Sequence, residues 1–329
     1  MTQTNKSRAF AIVKQYGIIF VLLLMVIALS IIQPAFRTPA NILNILNQTA
    51  IFGIMAVGMS FVIISGGIDL SVGSVLALSG VVMGAMAQVE GANNPIWENV
   101  GPFPFVIALL GALVIGSFCG GVSGSLIAKT RIPPFIATLG MMTVARGAAL
   151  IVTGGRPVSS LHPGFAAIGD RLWDTIPVPV LIYLAVIVFG WILLNNTKFG
   201  KSVYALGSNR AAAEISGINV KATLIKVYML SGFLAALAAI VFSARTHSAH
   251  PAAASGYELT AIAAATIGGT SHSGGIGTMW GAVVGALVLA VLRNGLTLIG
   301  VHAHWQGVTE GAIIVVAVII DMRKNAVKK

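Results

Sequence analysis

The sequence predicts an all-α, polytopic integral membrane protein of about ten transmembrane helices, some of them broken or short. Three observations carry this expectation. Hydrophobic residues make up 57% of the chain and charged residues 9%, against roughly 25% charged in soluble proteins. The apolar residues fall in long runs, and about 20 such residues cross the hydrocarbon core as a helix. Lys and Arg fall almost entirely on alternate connections between the runs, as expected when positive loops stay in the cytoplasm.

The first run, 16–33, follows Lys6, Arg8 and Lys14. It is too long for a signal-peptide core and lacks a small-residue cleavage site, so it reads as an uncleaved first span. Further runs lie at 42–65, 71–88, 103–128, 134–153, 177–195 and 223–244. The run 257–270 is short enough to be a half-helix, and 277–298 and 305–321 complete the set. With the N-terminus in the cytoplasm, fourteen Lys and Arg fall inside; Arg37, Arg156 and Arg171 fall outside; Arg146, Arg245 and Arg293 lie within or at the edges of spans. This bias places both termini in the cytoplasm, which requires an even number of spans. The whole chain, 1–329, reads as one transmembrane domain. It has a cytoplasmic N-terminal segment 1–15, a long cytoplasmic loop 196–222 and a cytoplasmic tail 322–329. The polar stretches 89–102, 154–176 and 196–222 are each too short for a core of their own.

Several function classes fall away. The net charge of +11 does not indicate nucleic acid, because the basic residues border spans instead of forming a patch on a soluble domain. Cys119 is the only cysteine, so no internal disulfide is possible. His247 with His250, and His302 with His304, are loosely spaced and lack a Cys partner, so they read as polar loop residues and not as zinc ligands. No Gly-x-Ser-x-Gly nucleophile motif occurs. No catalytic residue, metal site or bound cofactor is therefore expected.

Glycine is abundant, with 38 residues. Gly116, Gly120 and Gly124, and Gly277, Gly281 and Gly285, have the four-residue spacing that lets membrane helices approach closely. Two other clusters break apolar runs with polar residues: 66–74 (GGIDLSVGS) and 268–275 (GGTSHSGG). Irregular backbone at membrane depth persists only where protein or a water-filled cavity satisfies it, and such breaks mark transport pathways. Asp69 has a simpler reading as a helix-start carboxylate, and so has Glu258. Arg146, Glu258, Arg293 and Glu310 are ionisable residues near membrane depth, where charges face a partner or a cavity. Arg146 has Asp69, Glu258 and Glu310 as candidate partners.

The loop 196–222 contains a short helix candidate. Ser208 or Asn209 caps its start, Ala211 to Ala213 favour helix, and Gly217 suits a left-handed stop. So short a helix needs docking to be stable, and its alanine face suits a groove on a partner protein.

Four ordered stretches carry a family resemblance: GGIDLSVGS (66–74), PFIATLGMMTVARG (134–147), YALGSNRAAAEISGINV (204–220) and YELTAIAAATIGGTSHSGG (257–275). The chain resembles the permease subunits of bacterial ABC importers for ribose, xylose, allose and autoinducer-2, from about residue 40 onward. The resemblance implies two permease copies in the bacterial inner membrane, ATP-binding subunits in the cytoplasm and an external sugar-binding protein that supplies most of the specificity. It assigns Gly207, Asn209, Ala212, Ala213 and Gly217 to the loop that couples the permease to the ATPase. ATP and Mg would then sit on the partner, and this chain has no Gly-x-x-x-x-Gly-Lys-Ser/Thr motif. Members of the family often carry Asp after Glu-Leu in the fourth stretch, where this chain has Thr260. They often carry an apolar residue where it has His272.

A sugar presents many hydroxyls, so its pathway should offer hydrogen-bonding side chains. Polar residues in or near apolar spans are the candidates: Asn44, Asn47, Gln48, Asp69, Ser71, Thr138, Arg146, Glu258 and Asn294. Helix-packing hydrogen bonds are the alternative role for each. An ion-coupled secondary sugar transporter is the rival function, since broken helices and buried carboxylates would serve it too. Such a transporter needs no ATPase-docking helix.

Overall fold

The computed structural model describes residues 3–92, 94–97, 103–172 and 175–326. Six helices among them are long and apolar enough to cross a membrane. These are α2 (Pro39–Ile64), α4 (Phe105–Thr130), α5 (Pro134–Thr153), α7 (Val178–Asn195), α10 (Val220–Thr246) and α12 (Met279–Leu298). Four further apolar segments are shorter: Gly17–Ile32 of α1 (Gln3–Ile32), α3 (Val72–Met86), α11 (Tyr257–Ile267) and His304–Ile319 of α13 (Ala303–Ala326). The expected ten runs thus become six full-length and four shorter apolar helices. The segment expected as a polar N-terminus is helical from Gln3, and residues 1, 2 and 327–329 lie outside the described residues.

The bundle is centred on α2 and α10. In α2 every residue from Thr49 to Ile64 is buried, and α10 buries Tyr228, Ser231, Gly232 and a run of alanines. Helix α4 reaches α10 through its glycines: a methyl added at Gly116 or Gly120 would overlap the backbone carbonyl of Gly232 or Tyr228. Gly281 and Gly285 of α12 lie equally close to Gly268 and Ala264. Lipid gives no hydrophobic drive for helix pairing, so this backbone-to-backbone fit supplies the packing instead. The opposite faces of α4 and α5 expose Val114, Phe118, Val144 and Ile151, as lipid-facing or subunit-facing surfaces do.

The connections segregate to the two ends of the bundle. At one end Gln88 donates to Ser159 O at 3.1 Å, and Val158 bridges Ala249. The stretch 154–176 carries two elements the sequence did not announce, α6 (Gly164–Gly169) and a two-residue hairpin of β1 (Arg171–Leu172) with β2 (Ile176–Pro177). At the other end lie residues 65–67, the α4–α5 turn, residue 273, α8 (Lys198–Ser208) and α9 (Arg210–Ile215). Helix α8 is capped by Thr197, which accepts from Gly200 N, and it turns Val203 and Leu206 inward with Phe199 beside them.

Candidate functional site: two broken segments meeting in the bundle

Helix α11 has 11 residues, about 16 Å at 1.5 Å per residue, roughly half the hydrocarbon thickness. The short run was expected to be a half-helix, and the structure shows what completes it. The irregular segment 247–256 descends beside α3, with Ala249 against Gly80 and Gly84 and Ala254 against Gly73. Helix α3, with 15 residues, is completed in the same way by the extended segment 67–71. The two helices run in opposite directions from a shared meeting point at their N-termini. A methyl at Gly73 would overlap the Glu258 carboxylate and the Ala254 carbonyl.

Each irregular segment has its own polar support, which membrane-depth backbone requires. For 247–256 the support is Arg146, whose Nη1 donates to Pro251 O at 2.6 Å and Ala253 O at 2.8 Å. Of the three expected partners of Arg146, Asp69 and Glu310 are committed elsewhere. Glu258 is the carboxylate left near it. Glu258 Oε1 accepts from Gly256 N at 3.2 Å, a helix-start role, while its Oε2 is buried without a hydrogen bond. That oxygen lies where the positive ends of α3 and α11 converge, which favours negative charge.

For 67–71 the support is Asp69, only 1% exposed. Its Oδ1 accepts from Ser71 N at 2.9 Å and from Ser71 Oγ at 2.6 Å; its Oδ2 accepts from Ser231 Oγ of α10 at 2.8 Å. Thr138 Oγ1 lies 3.0 Å from Pro134 O and 3.3 Å from Ile68 O, and Tyr228 Oη donates to Ile68 O at 3.4 Å. Asp69, Ser71 and Thr138 are thus brought together as a clamp on the extended segment, closed to solvent in this conformation. The helix-start reading of Asp69 covers half of its role; the bond to Ser231 crosses to another helix and has no signature in the sequence.

On the other side of α11, Arg293 of α12 pairs bidentately with Glu310 of α13, with Nη2 to Oε2 at 2.8 Å. Thr260 Oγ1 lies 3.4 Å from Glu310 Oε2 and 3.5 Å from Arg293 Nη2. The guanidinium stacks over Phe52 at 4.8 Å and Tyr257 at 5.4 Å. Phe52, Thr260 and Glu310 are buried, so the cluster is closed in this conformation. Thr260 stands where the resembled family often has Asp, and Glu310 already neutralises the arginine there. A groove of about 850 Å3 lies elsewhere, between α4 and α10 on the apolar outer face.

The remaining candidates are dispersed: Asn44, Asn47 and Gln48 lie on the N-terminal half of α2 and Asn294 on α12. Asn294 is buried and exchanges two hydrogen bonds with Asn41, 3.0 and 2.7 Å, a helix-packing pair between α2 and α12. Asn44 is exposed and accepts from Arg245 Nη2 at 2.8 Å. Asn47 Oδ1 is buried without a partner. Gln48 is half-buried.

At the far end, Asn209 caps α9 by accepting from Ala212 N at 3.0 Å, and Gly217 stops it at φ +80°. The alanine face divides: Ala212 is exposed, whereas Ala213 is 3% exposed and packs against its own chain. Sequence reasoning passed over Ile215, at 88% the most exposed large apolar side chain among the described residues. A methyl at Gly207 would overlap Ile64 O, and Ile64 O accepts from Gly275 N at 2.8 Å. The α8–α9 junction is thereby joined to the end of α2 and to the loop after α11.

The family described as a branched-chain amino acid transport system / permease component matches residues 41–318. The ribose import permease of Bacillus subtilis is 43% identical over 328 residues, covering 98% of each chain. The ribose import permease of Escherichia coli K12 is 41% identical over 333 residues, covering 98% of this chain and 99% of its own. The galactose/methyl galactoside import permease of Haemophilus influenzae is 35% identical over 336 residues, covering 100% of both. No solved structure matches the chain. A multi-pass helical bundle with broken segments at its centre and full-length likeness to these proteins has one reading: the chain belongs to this family of transport permeases, beside its sugar import permeases.

Proposed function

We propose that this chain forms the membrane pathway of an ATP-driven importer that carries a monosaccharide, of the ribose-type pentose, hexose or polyol class, into the cytoplasm. It is a sugar-importer permease subunit that makes no covalent bond to its cargo. It works as two copies in the bacterial cytoplasmic membrane with both termini inside, as the charge bias supports. ATP-binding subunits that hold ATP and Mg dock on α8–α9, and a sugar-binding protein delivers the cargo from outside.

The observation that carries this reading is Ile215. A single exposed apolar side chain is ordinary on a protein surface, but Ile215 ends a six-residue helix, too short to be stable without docking, and so offers its outer face to a partner protein. Closure of the ATP-binding subunits would shift α9. Gly207 passes that shift to Ile64, which leads into the broken segment 67–71, and to Gly275, in the loop after the short helix α11; broken segments are the natural switch elements of alternating access. Thr260, Arg293 and Glu310 are paired with one another here; opening of the bundle would free them as weak hydrogen-bonding groups for a passing sugar.

The test is uptake of labelled ribose, galactose and a polyol into proteoliposomes holding this chain, its ATP-binding subunit and the binding protein. Uptake that needs internal ATP and ignores ionophores is expected. Uptake by this chain alone, abolished by ionophores, would replace the reading with an ion-coupled transporter centred on Glu258.

A further inference from the structure

A cavity of about 400 Å3 lies at the end of the bundle that carries α8 and α9. Its walls come from four connections: Gly66 and Gly67 after α2, the turn at Arg131, the α8–α9 junction through Arg210, and Ser273. Arg131 and Arg210 both line it, and no carboxylate does. Both arginines are exposed, and neither makes a hydrogen bond or ion pair with another described residue. Arg131 is held in the left-handed region at φ 59°, at the turn that ends α4 and forms one wall of this cavity. Two uncompensated guanidinium groups in one concavity focus a positive field, and the guanidinium fork matches a carboxylate bidentately.

We propose that this cavity receives an Asp or Glu side chain of the ATP-binding subunit, clamped between Arg131 and Arg210. The proposal rests on the docking reading above. The cavity adjoins α9, which presents Ile215 and Ala212 outward, so a partner seated on α9 lies over its mouth. The partner's carboxylate then fastens the subunit to the α4–α5 turn as well as to the α8–α9 junction. One movement of the partner is transmitted to both.

The test uses the permease in nanodiscs, titrated with labelled ATP-binding subunit. Arg131→Glu with Arg210→Glu should weaken association at least tenfold, and the difference from wild type should shrink as salt rises. Arg131→Lys and Arg210→Lys, treated with a water-soluble carbodiimide, should give an amide cross-link from the introduced amine to a partner Asp or Glu, located by mass spectrometry. Arg131→Gln with Arg210→Gln, followed by thermal unfolding, checks that the bundle is intact. Unchanged association of the glutamate pair, or its loss with no cross-link, would overturn the proposal. So would association that depends on anionic lipid and vanishes in purely zwitterionic nanodiscs, which would assign the cavity to a lipid phosphate. Ile215→Asp separates the two ideas. If it abolishes association while the arginine pair has no effect, only the cavity proposal fails; if it too has no effect, the docking reading fails.

Discussion

Gly73, in the first turn of α3, lies directly against the carboxylate of Glu258, in the first turn of α11. Two short helices of opposite direction therefore share the Glu258 carboxylate, one oxygen of which is buried, between their positive ends. Gly73→Ala adds a methyl that overlaps both Glu258 and the Ala254 carbonyl. Overpacking of this kind costs about 1–3 kcal/mol, so the variant should unfold at lower temperature in detergent and transport poorly. Unaltered melting and uptake would mean the two helix starts are not held together as described.

Arg146→Leu removes the donor to Pro251 O and Ala253 O, and the nearest cation to Glu258. Each buried carbonyl left unsatisfied costs about 1–3 kcal/mol. The expected result is a destabilised protein in which segment 247–256 becomes accessible to cysteine labelling. Arg146→Lys should restore part of the stability, because one ammonium still reaches a carbonyl.

Ala212 and Ala213 are neighbours with opposite exposure. Ala212→Lys should leave thermal stability within about 0.5 kcal/mol of wild type, as exposed substitutions do, while uptake is lost. Ala213→Lys places a charge against the chain's own core and should reduce stability itself. Equal stability effects from the two would contradict the placement of α9.

Much of this was legible before the structure, and the exceptions have physical reasons. The long spans, the short eighth run, the Asn209 cap and the Gly217 stop follow from local patterns of polarity and conformation. The spacing of Phe199, Val203 and Leu206 behind Thr197 also announces α8, a signal passed over inside a polar loop. Asp69 with Ser231, and Arg293 with Glu310, join residues distant in sequence, and spacing cannot reveal such pairs. Asn294 read as a pathway residue because a lone amide in an apolar run looks functional; its reciprocal bond to Asn41 depends on the register of two helices. Ile215 escaped notice because one isoleucine in a loop carries no periodicity.

Thr260→Asp would place a second carboxylate beside Glu310 with only Arg293 to serve both. Like charges at this range raise the energy of the site, so the variant should be less stable than wild type. Thr260→Asp combined with Glu310→Gln restores one carboxylate per arginine and should recover stability. A double variant as unstable as the single one would show that Thr260 and Glu310 do not share Arg293.

His272 Nε2 lies 2.8 Å from Thr266 Oγ1, whose proton is donated to Ile262 O. The imidazole is therefore the donor, in the neutral Nε2–H form. Burial pushes its pKa below the ordinary value, and Asp321 partly offsets this. A base with a depressed folded pKa stabilises the loop above the ordinary pKa of 6.5 and loses that contribution as pH falls below it. Hydrogen exchange of residues 268–278 should accelerate on acidification from pH 7.5 to 5.5, and His272→Asn should flatten the dependence. A dependence unchanged in the variant would place the titration elsewhere.

The central claim is that α9 joins this permease to ATP hydrolysis. Its most direct test is the ATPase rate of the reconstituted complex, with and without sugar-loaded binding protein, for wild type and Ile215→Asp. The expected result is a several-fold stimulation by loaded binding protein in wild type and none in the variant. Equal stimulation in both would contradict the assignment of α9 as the coupling element.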